Sequence, residues 1–161
     1  PTLGKIFVNN NALTDFNKVS WRNKIAYVFQ DSLLITGSLK DNITLKNPNF
    51  TDRDIAEALF LSKADSVVAR MPDGLDHKID FTGCDLSGGE RQKIAIARAL
   101  IRKPEILLFD EVTNHLDSDS RLKIRDLIVS LRGQVTIFLV SHDPELIAVC
   151  DQEINIDSME N

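Results

Sequence analysis

Four consecutive apolar residues, Ile106 to Phe109, run straight into two adjacent carboxylates, Asp110 and Glu111. A run with no polar alternation predicts a strand buried on both faces of a parallel sheet. Asp110 and Glu111 then fall at the strand's carboxyl end, where open α/β sheets place their ligand crevice. Successive strand side chains point to opposite sides, so the two acids need not share a task. One can hold a hard cation such as Mg²⁺ through oxygen, while the other orients or deprotonates a water. Local chemistry equally allows a strand that simply stops at two solvated acids.

A second run, Val135 to Val140, predicts another fully buried strand by the same logic. It delivers Ser141-His142-Asp143-Pro144 to the same edge, with Pro144 suited to the first turn of a helix. A lone loop histidine is usually structural or solvated, but His142 beside an Asp-Glu strand end gains a functional reading. Ile25 to Phe29 predicts a third strand, followed at once by Gln30 and Asp31. By itself Gln30 is an ordinary loop residue. Lys5 to Val8 reads as a short strand entering a turn at Asn9 to Asn11, and 153–156 as a last, half-buried strand.

From Thr51 the pattern turns helical. Thr51 and Asp54 resemble a capping box, and Ile55, Ala58, Leu59 and Leu61 supply an apolar face. A second helical piece over Ala64 to Arg70 ends at Met71-Pro72-Asp73-Gly74, and Leu75 to Asp85 reads as irregular and polar. Leu86-Ser87-Gly88-Gly89-Glu90 then opens the strongest helix of the chain, capped by Ser87 and Glu90 and continuing to Pro104. Two glycines in its first turn cost up to about 1 kcal/mol each relative to alanine. In return they give close backbone access, so that free N–H groups and the helix dipole can receive a phosphate. A plain glycine-containing helix start is the alternative. A further helix is expected near Asp119 to Leu131, ended by Arg132-Gly133.

A chain of 161 residues suits one domain with a single sizeable core. Its net charge of -5 argues against a general nucleic-acid backbone binder. Cys84 and Cys150 lie far apart in no ligand-like spacing, as expected of reduced cysteines in a cytosolic protein. No apolar stretch approaches the roughly 20 residues of a membrane-spanning helix, and no signal peptide is evident. Pro1 in place of an initiator Met reads as the start of a piece of something longer.

Taken in order, these stretches resemble the nucleotide-binding domain of ATP-binding cassette (ABC) transporters over nearly the whole chain. Gln30 looks like the Q-loop glutamine, and Leu86 to Glu90 like the signature sequence. Leu107 to Asp110 with Glu111 looks like the Walker B strand and catalytic glutamate. Leu116-Asp117 looks like the D-loop, and His142 like the switch histidine. Trp21-Arg22, Ser38, Asp41-Asn42-Ile43 and Pro72 to Asp76 are similar to the exporter branch.

The resemblance implies a P-loop NTPase-like (RecA-like) α/β fold with a mostly parallel sheet, N-terminally truncated, carrying a helical signature subdomain at about 45–103. It implies ATP and Mg²⁺ as cofactors, with Asp110 and Gln30 at the metal, Glu111 polarising water and His142 contacting the γ-phosphate. Ser87, Gly88, Gly89 and Glu90 would face ATP held by a second cassette in a head-to-tail dimer, with Asp117 signalling across that interface. A transmembrane domain as partner and a place on the cytoplasmic face of the inner or plasma membrane follow.

No Gly-x-x-x-x-Gly-Lys-Ser/Thr occurs anywhere in the chain. The expectation is therefore that this chain alone binds ATP weakly and hydrolyses it negligibly, and that strand 153–156 lacks a neighbour. Glu90 stands where Gln is commoner, and Asn114-His115 departs from the usual exporter D-loop. His77 and His115 are expected at the surface. Two alternatives stay open: a degenerate cassette supplying only the signature face, and a soluble ABC-F-like ATPase acting on ribosomes or chromosomes.

Overall fold

Parallel pairing turns three of the apolar runs into one sheet. The computed structural model describes residues 3–80, 85–114 and 116–155. In chain order it forms β1 (Phe7–Val8), β2 (Asn11–Ala12), α1 (Lys18–Asn23), β3 (Ile25–Val28), β4 (Gly37–Ser38), α2 (Leu39–Thr44) and α3 (Asp52–Ser62). There follow α4 (Asp65–Arg70), β5 (Lys78–Ile79), α5 (Gly88–Leu100), β6 (Ile106–Asp110), α6 (Ser118–Ser130), β7 (Thr136–Val140) and α7 (Pro144–Ile147). The main sheet has the order β3-β6-β7, parallel throughout.

Its register decides which side chains share a face. Ala26, Leu107 and Ile137 lie side by side, as do Val28, Phe109 and Leu139. These pack with Ile96, Ala99 and Leu100 of α5, Ile124, Leu127 and Ile128 of α6, and Leu146 of α7. The other face carries Tyr27, Leu108 and Phe138 in one row, with Phe138 53% and Val140 58% exposed. The expectation that β6 and β7 are buried on both faces is therefore wrong for this chain. All three helices that cover the sheet lie on one side, so each strand alternates between covered and open positions.

A second core is helical. Leu39 and Ile43 of α2, Ile55, Ala58 and Leu59 of α3, and Val67 of α4 pack around Ile94, Ala97 and Ile101. Helix α5 is thus apolar on two sides: its positions 94 and 97, with Ile101 just after it, face one core while 96, 99 and 100 face the other. Its helical period separates these two stripes.

Caps start the helices where the sequence marks them. Thr51 with Asp54 and Ser87 with Glu90 each form the reciprocal capping box. Ser38 with Asp41 forms a third, opening α2, which the sequence reading did not recognise as a helix. Helix α1 was missed as well, although Asn17 caps it by accepting from Val19 N and Ser20 N. Pro144 occupies the first turn of α7 as expected. The Asn9-Asn10 turn, with φ of 48° and 65°, folds β1 back on β2 as a short antiparallel hairpin.

The stretch expected to be irregular holds a short strand, since β5 pairs antiparallel with β4; residues 81–84, Cys84 among them, lie outside the described set. Residues 153–155 form no strand, and residue 156 lies outside the described residues. His77 is half-buried rather than at the surface, its Nε2 3.6 Å from an Asp85 carboxylate oxygen, and His115 lies outside the described residues.

Candidate functional site

The carboxyl ends of β3, β6 and β7 bring the expected residues to one edge. Asp110 is the last residue of β6 and pairs with Val140. Glu111 follows, its backbone N–H donating to Val140 O at 2.9 Å. That bond aligns the chain after β6 with the chain after β7, and His142 Nε2 comes within 3.4 Å of Glu111 Oε1. Glu111 has φ of 48°, left-handed backbone that costs a non-glycine residue about 1–2 kcal/mol. The Glu111 side chain is 14% exposed while His142 is 97% exposed, so the acid is partly shielded and the imidazole projects outward.

Asp110 lies on the open face of the sheet, where the phenol of Tyr27 donates to its Oδ2 at 2.5 Å. That hydrogen bond to the carboxylate, with some burial, raises the pKa of Tyr27 above its ordinary value. Tyr27 was not picked out from sequence; its place three residues before Gln30, one row from Asp110, is the signal that could have found it. Asp110 and Gln30 offer oxygen donors at neighbouring strand ends. Among the described residues, no group of three or more His, Cys, Asp or Glu side chains could hold a metal by itself. One carboxylate and one amide oxygen suit Mg²⁺, which keeps waters and takes phosphate oxygens as further ligands.

Gln30 reaches a second part of the site. A cleft of about 250 Å³ is lined by Gln30, Ser32, Gly88, Arg91, Gln92 and Leu116, among others. The Ser32 hydroxyl donates to Gln92 Oε1, tying the loop after β3 to α5. Behind it, buried Asn42 bonds Ile35 N, Ile35 O and Ser38 O and accepts from Arg98. Arg98 also donates to Leu33 O and Asn42 O, and burial lowers its pKa without removing its charge. This network sets the loop that leads from Gln30 to α2.

The glycine-containing turn sits across that cleft. Ser87 is exposed, Gly88 half-buried and Gly89 buried. Glu90 turns away from the cleft: its carboxylate accepts from Ser87 N and from Arg70 at 2.8 Å. Burial pushes the Glu90 carboxyl up, but the Ser87 N–H and the Arg70 guanidinium outweigh it and hold the pKa below the ordinary value. Asp117 caps α6 through Ser120 N and accepts from Ser120 Oγ, and the same two bonds lower its pKa. Asp117 was singled out from sequence, yet Ser120 was not.

A parallel α/β sheet with acids and a histidine at its carboxyl edge, flanked by a capped glycine turn, defines a P-loop NTPase-like nucleotide-binding fold. The sequence profile described as "ABC transporter" matches residues 1–114. The chain belongs to the ABC transporter family.

Among its relatives, a multidrug resistance ABC transporter ATP-binding and permease protein of Lactococcus lactis subsp. cremoris is 37% identical over 153 residues. That alignment covers 94% of this chain and 26% of the relative. The beta-(1-->2)glucan export ATP-binding/permease protein NdvA of Agrobacterium vitis is 35% identical over 157 residues, covering 98% of this chain and 27% of its own length. A solved structure of a bacterial Atm1-family ABC exporter with ATP bound superposes with a TM-score of 0.80 at 30% identity. It covers 92% of this chain and 26% of that one. The chain thus spans about a quarter of the length of the relatives it matches. No helix among the described residues is long and apolar enough to cross a membrane.

Proposed function

We infer that this chain is part of the ATP-binding and ATP-hydrolysing domain of an ABC exporter, powering transport across a membrane. The observation that carries the reading is the approach of Glu111 and His142, brought to 3.4 Å by the parallel pairing of β6 with β7. Glu111, partly shielded and held in left-handed backbone, orients the attacking water and accepts its proton. His142 projects outward as a donor to the γ-phosphate. Asp110 and Gln30 would hold Mg²⁺, which when bound neutralises charge on the phosphates. Positioning and charge stabilisation supply most of the catalysis in phosphoryl transfer.

Ser87, Gly88, Gly89 and Glu90 form the signature turn facing ATP on a second cassette, in a head-to-tail dimer, with Asp117 at the same interface. The division at about 45–103 into a helical subdomain is supported by the separate helical core, which also draws in Leu34, Leu39 and Ile43. A transmembrane domain is the coupling partner, and the chain works at the cytoplasmic face of the inner or plasma membrane. The names of the relatives favour an exporter over a soluble ABC-F-like ATPase, as does the net charge of -5. A cassette contributing only its signature face would need neither Glu111 nor His142 in this arrangement.

The test is phosphate release by the full-length protein that carries this chain. Glu111→Gln is expected to lower turnover by about 10²-fold or more, the usual worth of a positioned base, with ATP binding retained. Unchanged turnover in that variant would remove Glu111 from the mechanism.

A further inference from the structure

The first turns of α5 and α6 meet more closely than side chains allow. A Cβ placed on Gly89 would lie 2.8 Å from Ser120 Oγ and 3.1 Å from Ser120 Cβ. Both separations fall inside the 3.5–4.0 Å at which non-bonded carbons are best placed. On Gly88 a Cβ would meet the movable ends of Leu116, at 3.3 Å, and Arg91, at 3.9 Å. Gly89 is therefore the position where the backbone has to stay bare.

Ser120 is not free to turn aside. Its Oγ donates to Asp117 Oδ2 at 3.0 Å, and its backbone N–H donates to Asp117 Oδ1 at 2.9 Å. One side of this serine touches the glycine turn while its hydroxyl holds the carboxylate that caps α6. A displacement of the α5 turn toward α6 would have to move Ser120, and the shift would pass to Asp117.

We propose that Ser120 is a positioning residue that couples Gly89 to Asp117, so that the signature turn and the D-loop present one rigid edge to the opposing cassette. Its consequence for catalysis rests on the dimer reading above; its geometry needs no nucleotide. Gly89 then serves within its own chain as well as at the phosphate, since the bare backbone is what lets the two helix starts share one register.

The experiment follows the Asp117 side-chain carboxyl resonance by carbon-13 NMR in the unliganded 161-residue chain. Ser120→Ala removes the Oγ bond and is expected to shift that resonance. Gly89→Ala leaves both residues of the bond in place but crowds Ser120 Oγ, and is expected to shift the resonance in the same direction. Combined with Ser120→Ala, it should add less than half of its separate effect. An unmoved resonance in Gly89→Ala, or full additivity in the pair, overturns the proposal. Should Gly89→Ala fail to fold, Gly89→Ala with Ser120→Gly removes both close atoms and is expected to recover the folded spectrum; continued failure also overturns it. The readout involves no ATP, so a negative result leaves the ATPase reading standing, and failure of the Glu111 test leaves this coupling standing.

Discussion

Asn42 shows how much of the site depends on a residue outside it. Its side chain is fully buried and serves four partners, three on residues 35–38 and one on Arg98. Replacing it by alanine leaves those groups without a partner where water does not reach. Each buried unsatisfied group costs about 1–3 kcal/mol, less what relaxation recovers. Asn42→Ala is therefore expected to destabilise the chain by about 2–4 kcal/mol, read from the midpoint of urea unfolding. Glu111 works in the opposite sense, its left-handed φ holding local strain at the position where chemistry is assigned.

Strands and helices make different demands on the same residue types. Leu107 and Phe138 both sit in apolar parallel strands, but Leu107 is on the covered face and Phe138 on the open one. Leu107→Ala is expected to cost about 2–5 kcal/mol by leaving a cavity. Phe138→Ala should cost under about 1 kcal/mol, because a side chain left in water has little burial to lose. Comparable losses for the two would mean that both faces are covered in solution. At the start of α3, Asp54 accepts from the Thr51 hydroxyl and pairs with Lys103 at 2.9 Å. Thr51 first and Lys103 second hold its carboxyl well below the usual range. A carboxyl depressed by folding contributes stability above its unfolded pKa of about 3.9 and loses that contribution as pH falls further. Thermal midpoints should thus fall on acidification below about pH 4, and fall less steeply in Asp54→Asn. Asp41 and Asp117, whose pKa values backbone N–H bonds also lower, leave the variant with part of the same acid sensitivity.

At the scale of the molecule, α5 is the shared wall between a sheet core and a helical core, and the site lies around its first turn. In the proposed reading that arrangement supplies the water-orienting and signature elements, while the sequence contains no glycine loop of the phosphate-cradling type. Titration of the 161-residue chain with a fluorescent ATP analogue and Mg²⁺ is expected to give millimolar affinity or weaker. Micromolar binding would mean that another part of this chain holds the phosphates.

Local sequence determined the parts that depend on near neighbours. The capping boxes at Thr51 and Ser87 and the proline at the start of α7 were readable because their partners lie within four residues. The order of Gln30, Ser87 to Glu90, Asp110-Glu111, Asp117 and His142 was equally plain in the chain. The capping box at Ser38 was present in the sequence but passed unread, since α2 spans only six residues and has little periodicity to announce it. Burial was decided only in three dimensions. An apolar run reads the same whether one face or two are covered, and only the placement of α5, α6 and α7 on one side separates Leu107 from Phe138. The contacts Tyr27–Asp110, Ser32–Gln92 and Gly89–Ser120 join residues 31 to 83 positions apart. No local pattern encodes such pairs; strand register and helix packing create them.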